Sequence, residues 1–113
     1  MVTELELAAA AKAPRVTLDD VRNNIKSEHY FTAKDGVLFN GDDKDIPEAL
    51  GLLTFCVLVL QNGFTVVGQS ACASRDNYNE VIGQDLAKSD AINKIWPLMG
   101  YELRTSLSKE YDV

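Results

Sequence analysis

The side chains that could act as nucleophiles, bases or soft metal ligands are few in this chain. It has two cysteines, Cys56 and Cys72, and a single histidine, His29. A catalytic thiol needs a base and a group that orients the base, and nothing local supplies them. Both cysteines fall in β-rich segments, where a thiol commonly behaves as a small hydrophobic group. The sequence therefore predicts no catalytic residue and a protein that is not an enzyme.

Two further patterns resemble chemical motifs without matching them. The acidic segment at residues 42–48 lacks the ligand alternation and the central glycine of a calcium loop. Residues 68–72 resemble a nucleophile elbow, but the final glycine is missing and the serine lies within a strand pattern. We therefore expect no metal site and no cofactor.

The most distinctive string runs from Lys94 to Tyr101 and places a tryptophan directly before a proline. Trp96 and Tyr101 are large amphipathic side chains that could stack on a planar ligand or anchor a protein interface. Basic side chains could meet an anion nearby. The alternative is that Trp96 fills the core and Pro97 ends the helix. The candidate residues for binding a ligand or partner are Arg75, Asn77, Lys94, Trp96, Tyr101 and Arg104.

The N-terminal part of the chain predicts a tail followed by a short helix. We expect residues 1–14 to form a flexible tail, because Pro14 separates them from the pattern that follows. Thr17 and Asp20 have the spacing of a capping box. Apolar residues then recur at steps of three and four, which favours a helix over residues 17–28.

The next segment alternates between β-prone and turn-forming residues. Residues 29–32 favour a short strand. Glycine, asparagine and aspartate are frequent over residues 34–47, which favours a loop, with a brief strand at 37–39.

A β-hairpin is the clearest element of the sequence. Two β-rich segments, residues 53–60 and 64–73, flank Asn62 and Gly63. Asn-Gly between such segments is a strong hairpin signal, because both residues tolerate a positive φ.

A two-residue turn at Asn62 and Gly63 would fix the pairing of the two strands. It pairs Val59 with Val66 and places the two cysteines on opposite faces of the ribbon, which excludes a disulfide between them. The first strand is apolar on both faces, which is typical of a strand that is covered on both sides.

The main helix is predicted over residues 77–96. Asn77 and Glu80 have the spacing of a capping box, and Pro97 ends or kinks the helix. A last short helix is predicted over residues 101–108. Within the main helix, small residues four apart would allow close packing: Gly83, Ala87 and Ala91. A polar stripe has the same spacing: Asp85, Ser89 and Asn93.

Together these patterns predict an α+β fold formed by a single domain over residues 15–113. An antiparallel β-hairpin or small sheet packs on one long C-terminal helix, with a short N-terminal helix. The helix can cover one face of the hairpin, and the other face needs the N-terminal helix or a second copy of the chain. We expect a homo-oligomer, and a monomer closed by the N-terminal helix is the alternative.

Composition and charge exclude several classes of protein. The 113 residues carry a formal net charge of -6, and the basic residues are scattered singly. Duplex nucleic acid is usually bound by a basic patch, so we expect no direct nucleic-acid binding. No apolar run reaches the roughly 18 to 20 residues of a membrane span, and the acidic N-terminus is unlike a secretory signal. The expected location is the bacterial cytoplasm.

Several strings together are similar to a family of small phage proteins, named for gene product 49 of coliphage N-four and gene 66 of a Shigella phage. The resemblance covers residues 16–107. The strings that carry it are residues 61–66, 68–73, Asn77, Ile82-Gly83, residues 91–98 and Gly100-Tyr101. It implies a tailed-phage or prophage protein that acts in the bacterial cytoplasm, and it supplies no activity and no catalytic residues. Residues 84–90 are more acidic than the family pattern.

These features lead to three hypotheses for the function. The first is a non-enzymatic phage accessory protein that binds and modulates a host protein. The second is an oligomeric sponge that sequesters a nucleotide immune signal through the aromatic and basic candidates above. The third is a small enzyme.

Overall fold

The computed structural model describes residues 3–10, 14–41 and 45–111. The helices are α1 (Glu4–Ala10), α2 (Leu18–Asn23), α3 (Ala33–Phe39) and α4 (Glu80–Tyr111); the strands are β1 (Ile25–Thr32), β2 (Leu53–Leu60) and β3 (Thr65–Ala71). Short 3-10 turns span Glu48–Leu52 and Arg75–Asn77. The α+β prediction, with one long C-terminal helix, is confirmed.

The three strands form one antiparallel sheet in the order β1-β2-β3, so β2 is central. The predicted hairpin is present, and Gly63 has a φ of +90°. The connection is one residue longer than predicted, because the N–H of Leu60 donates to the carbonyl of Phe64 at 2.8 Å. Gly63 is thus the left-handed residue of a three-residue loop.

This longer loop makes the predicted strand register wrong by one residue. Val66 pairs with Leu58 rather than with Val59. Because side chains alternate between faces, the shift turns every β3 side chain to the opposite face. Cys72 therefore faces the same side as Cys56, where it lines a pocket with Thr54. Both thiols are free, but the predicted reason, opposite faces, is wrong.

Two predicted elements at the start of the domain also differ from the structure. The capping box at Thr17 is present, but α2 ends at Asn23, and residues 25–28 extend β1 because they pair with the central strand. The predicted strand at residues 37–39 is helical. A second capping box explains it: Thr32 and Asp35 exchange side-chain and backbone hydrogen bonds at the start of α3.

Helix α4 packs closely on one face of the sheet, as its row of small residues predicts. Ala87 and Ala91 are buried, and they lie against Gly68 of β3. A Cβ atom at Gly68 would lie 2.0 Å from the carbonyl oxygen of Ala87 and 2.3 Å from the nitrogen of Ala91. Glycine is thus the residue that permits this contact. The core between helix and sheet contains Val21, Cys56, Leu58, Leu60, Val66, Ala87, Ala91 and Ile95.

Both ends predicted for the main helix are corrected by the structure. Asn79, rather than Asn77, caps it, since the N–H of Ile82 donates to Asn79 Oδ1 at 3.1 Å. The helix continues through Pro97 to Tyr111 and includes the predicted last helix. Proline removes one backbone donor, and here the position is exposed to water.

The predicted N-terminal tail contains α1, which Glu4 links to the domain through an ion pair with Arg15 at 3.2 Å. Residues 1–2 and 11–13 of that tail lie outside the described residues, as do residues 42–44 of the acidic segment. No helix in the described part of the chain is both long and apolar enough to cross a membrane.

Candidate binding surface

The sheet has an open face on the side opposite α4. The strand register places on this face side chains from all three strands: Ser27, His29, Phe31, Phe55, Val57, Val59, Thr65, Val67 and Gln69. The rings of Phe31 and Phe55 contact each other, with centroids 5.5 Å apart. Phe31 is 41% exposed and Val67 is 40% exposed, while the side chains of β2 are half-buried between them.

No helix of the described chain packs across the middle of this open face. The predicted N-terminal helix α2 does not cover it, because Val21 packs into the same core as α4. Apart from α2 and α4, the elements that contact β1 and β2 appreciably are α3 and the turn at Glu48–Leu52. In sequence, α3 directly follows β1, and the turn directly precedes β2. Among the described residues, the apolar second face of β2, predicted from its sequence, therefore has no helix across it.

The open face also differs from the rest of the protein in charge. The chain has 17 acidic and 11 basic residues, but none of them is among the strand residues of the open face. Its one titratable side chain is His29, whose Nε2 lies 3.0 Å from Ser27 Oγ. A surface that lacks aspartate, glutamate, lysine and arginine, and in which five of nine side chains are aliphatic or aromatic, is suited to contact with another apolar surface.

A polar cluster lies on the other side of the sheet, between β1 and α4. Lys88 Nζ is 3.0 Å from Glu28 Oε2, and the Tyr30 hydroxyl donates to Glu28 Oε1 at 3.1 Å. The hydrogen bond from Lys88 lowers the pKa of Glu28. Burial, followed by the hydrogen bond to Glu28, raises the pKa of Tyr30. The cluster has no local signal in the sequence, because Glu28 and Lys88 meet only through the tertiary fold.

Nucleophilic chemistry at this cluster is limited, because the thiol beside it, that of Cys56, is poorly reactive. Cys56 is buried beside Tyr30, and burial raises the pKa of the Cys56 thiol. A thiol is a good nucleophile only as the thiolate, so a raised pKa leaves Cys56 poorly reactive near neutral pH. The ion pair between Glu28 and Lys88 borders a cleft of about 440 Å³, and its evident role is to tie β1 to α4.

A second, smaller cavity of about 100 Å³ lies beneath the start of α4. The Thr54 hydroxyl is buried there and has no hydrogen-bond partner among the described residues. A Cβ atom at Gly83 would lie 3.1 Å from Thr54 Oγ1. The thiol of Cys72, which also lines the cavity, donates to the Ser74 carbonyl at 3.1 Å. One ordered water is enough to satisfy a buried hydroxyl of this kind.

The six binding candidates from the sequence occupy four different environments. Arg75 forms an ion pair with Glu48 at 2.9 Å, and Asn77 is exposed in the same 3-10 turn. Lys94 Nζ donates to the carbonyl of Val67 on the outer edge of β3. Trp96, half-buried, packs against the core, as the alternative interpretation of that residue proposed.

The last two candidates, Tyr101 and Arg104, lie further along α4. Tyr101 is 78% exposed and Arg104 is also exposed. At about 1.5 Å per helical residue, Tyr101 lies roughly 30 Å from the start of α4, next to which Arg75 and Asn77 are located. One chain therefore does not bring all six candidates into a single pocket.

Among known proteins, the chain matches one family of phage proteins. No curated protein and no solved structure matches the chain. The model of the phage protein family named N4 Gp49/phage Sf6 gene 66 matches residues 16–107. These residues include α2, all three strands and most of α4, and they coincide with the range expected from the sequence. The chain belongs to the phage protein (N4 Gp49/phage Sf6 gene 66) family.

Proposed function

We propose that this phage protein is a non-enzymatic accessory protein that binds a host protein in the bacterial cytoplasm through the open face of its sheet. The observation that supports the proposal is the uncharged apolar surface formed by Phe31, Phe55, Val57 and Val67, which no helix of the described chain covers. Exposed patches of this kind on small proteins are often interaction sites.

The size of the open face fits a protein contact. Three strands about 4.8 Å apart and seven residues long at about 3.3 Å each cover roughly 14 by 23 Å. The whole face, polar side chains included, is thus comparable in size with the largest apolar patch of a typical monomer, about 300–600 Å², which is often functional. The partner must supply an apolar, uncharged surface, because a charge buried against Val57 or Phe55 would lose its hydration without gaining a partner.

The other two hypotheses draw less support from the described residues. A nucleotide site would need several basic and aromatic side chains to converge, but Arg75 pairs with Glu48 and Lys94 contacts the β3 backbone. An enzyme would need an activated group, but the pKa of Cys56 is raised by burial. The open face needs neither of these arrangements.

The test compares two charged substitutions at exposed positions. Val67→Asp places a carboxylate on the open face, and Ser89→Asp places the same group on the exposed polar side of α4. Both tagged variants and the wild-type protein are expressed in bacteria, and any stoichiometric partner is identified, purified and titrated against each protein.

We expect Val67→Asp to weaken binding at least tenfold, since a buried unpaired carboxylate costs more than about 1.4 kcal/mol. Ser89→Asp should bind as the wild-type protein does. The proposal is wrong if no stoichiometric host partner is found, or if Val67→Asp binds the partner as tightly as Ser89→Asp.

A further inference from the structure

The small cavity at the start of α4 contains a buried hydroxyl group at its inner end. Thr54 and Gly83 both line this cavity of about 100 Å³, which we call the Thr54 cavity. Thr54 is 2% exposed and is the one lining residue that is fully buried. A Cβ atom at Gly83 would lie 3.1 Å from Thr54 Oγ1, so the hydroxyl points towards this part of the lining. It has no hydrogen-bond partner among the described residues.

A second hydroxyl, that of Ser70, lies beside Thr54 in the lining. Ser70 pairs with Thr54 between β3 and β2, and directly paired residues have Cβ atoms about 4.5–5.5 Å apart. A ligand hydroxyl placed between the two can donate a hydrogen bond to one and accept from the other. The thiol of Cys72, which also lines the cavity, is already engaged, since it donates to the Ser74 carbonyl at 3.1 Å.

The remaining walls of the Thr54 cavity are largely apolar and carry no charge. Leu52, Ile82 and Leu86 line it, and Ile82 and Leu86 are each 56% exposed. No aspartate, glutamate, lysine or arginine is among the described residues of the lining. An ionised ligand would lose its hydration here without gaining a partner, so the ligand that fits is uncharged.

The volume of the cavity limits the ligand to a few atoms. An apolar cavity of about 150 Å³ binds benzene, so a cavity of about 100 Å³ has room for roughly four non-hydrogen atoms. A single water, whose share of liquid volume is about 30 Å³, satisfies Thr54 but leaves most of the space beside the apolar walls unfilled. A short branched alcohol fills that space as well.

We propose that the Thr54 cavity is a binding site for a small uncharged alcohol. The hydroxyl of the alcohol bonds to Thr54 and Ser70, and its apolar body packs against Leu52, Ile82 and Leu86. The inference does not rest on the proposed host-binding function, because the cavity lies on the α4 side of the sheet and not on the open face.

Amide NMR spectra of the whole protein, titrated with isopropanol, test the inference, because isopropanol matches the cavity in size and has a single hydroxyl. The amide signals of Thr54, Cys72 and Gly83 should shift and saturate with a Kd in the millimolar range, since a ligand of so few atoms binds weakly. Thr54→Val removes the buried hydroxyl and should weaken binding about fivefold or more, because the alcohol loses a hydrogen-bond partner.

Two glycines of α4 supply a matched pair of variants. Gly83→Ala places a methyl group 3.1 Å from Thr54 Oγ1 and should weaken binding at least as much as Thr54→Val does. Gly100→Ala makes the same change where nothing lies within 4 Å, and it should bind isopropanol as the wild-type protein does. Wild-type shifts that rise linearly and never saturate, or a Thr54→Val protein that binds as tightly as Gly100→Ala, overturn the inference.

Discussion

The contact between Gly68 and α4 allows a sharp test of the packing. A methyl group added by Gly68→Ala would lie 2.0 Å from the carbonyl oxygen of Ala87 and 2.3 Å from the nitrogen of Ala91. Both atoms belong to the helix backbone, so no side-chain rotation can relieve the overlap. The helix must move by about 1 Å, because Cβ contacts essentially never fall under 3.0 Å.

The expected loss of stability follows from this movement. Overpacking a core typically costs about 1–3 kcal/mol, and a shift of α4 also loosens the contacts of Ala87 and Ala91. We therefore expect Gly68→Ala to lower the free energy of unfolding by about 3 kcal/mol or more. That is a large share of the roughly 6–17 kcal/mol expected for a domain of this length.

Gly100, which lies in α4, supplies a control for the same change of glycine to alanine. A Cβ atom at Gly100 meets nothing within 4 Å, and alanine stabilises a helix interior relative to glycine by about 0.5–1 kcal/mol. Urea unfolding followed by circular dichroism measures both variants, which carry the same chemical change. A Gly68→Ala protein within about 1 kcal/mol of the wild-type protein would refute the packing, since even modest overpacking costs that much.

Two further predictions concern the cap of α4 and the response to acid. Asn79→Ala should destabilise the protein by about 1 kcal/mol through loss of the helix cap, while Asn77→Ala should change the stability by less than about 0.5 kcal/mol; equal effects in urea unfolding would contradict this assignment of the cap. Because the pKa of Glu28 is lowered from an ordinary value of 4.5, its ion pair stabilises the fold above that value, and this stability is lost as the pH falls through the folded pKa. Lys88→Met should therefore make the free energy of unfolding less dependent on pH below 4.5, and an unchanged acid profile would contradict the role of Lys88.

Features encoded by short local patterns were predictable from the sequence. The bounds of β2 coincide with the predicted β-rich segment, residues 53–60, which ends where the turn at Asn62 and Gly63 begins. The capping box at Thr17 needs only two residues three apart. The close approach of α4 follows from small residues four apart, although its partner, Gly68, becomes apparent only once the register of β3 is known.

Features that depend on tertiary contacts were not predictable from local patterns. Residues 25–28 continue a helical period, but pairing with β2 makes them a strand. The Asn-Gly pair is compatible with loops of two or three residues, and that single residue decides which face Val66 occupies. Residues 37–39, predicted as a brief strand, are helical because the capping box of Thr32 and Asp35 starts a helix just before them.

The candidate binding surface was predicted only in part for the same reason. A strand that is apolar on both sides indicated that one face would need a cover. The residues that share the open face depend on the register, which places Val67 there instead of Val66. Asp90 and Lys94 of α4 bond to the backbone on the outer edge of β3. These contacts have no local signal in the sequence.

Footprinting of a purified host complex with hydroxyl radicals tests the central proposal most directly. In the free protein, Phe31, at 41% exposure, and Tyr101, at 78% exposure, should both be oxidised. In the complex, oxidation of Phe31 should fall several-fold and oxidation of Tyr101 should stay unchanged. Protection of Tyr101, with Phe31 labelled as in the free protein, would show that the partner binds α4 and not the open face of the sheet.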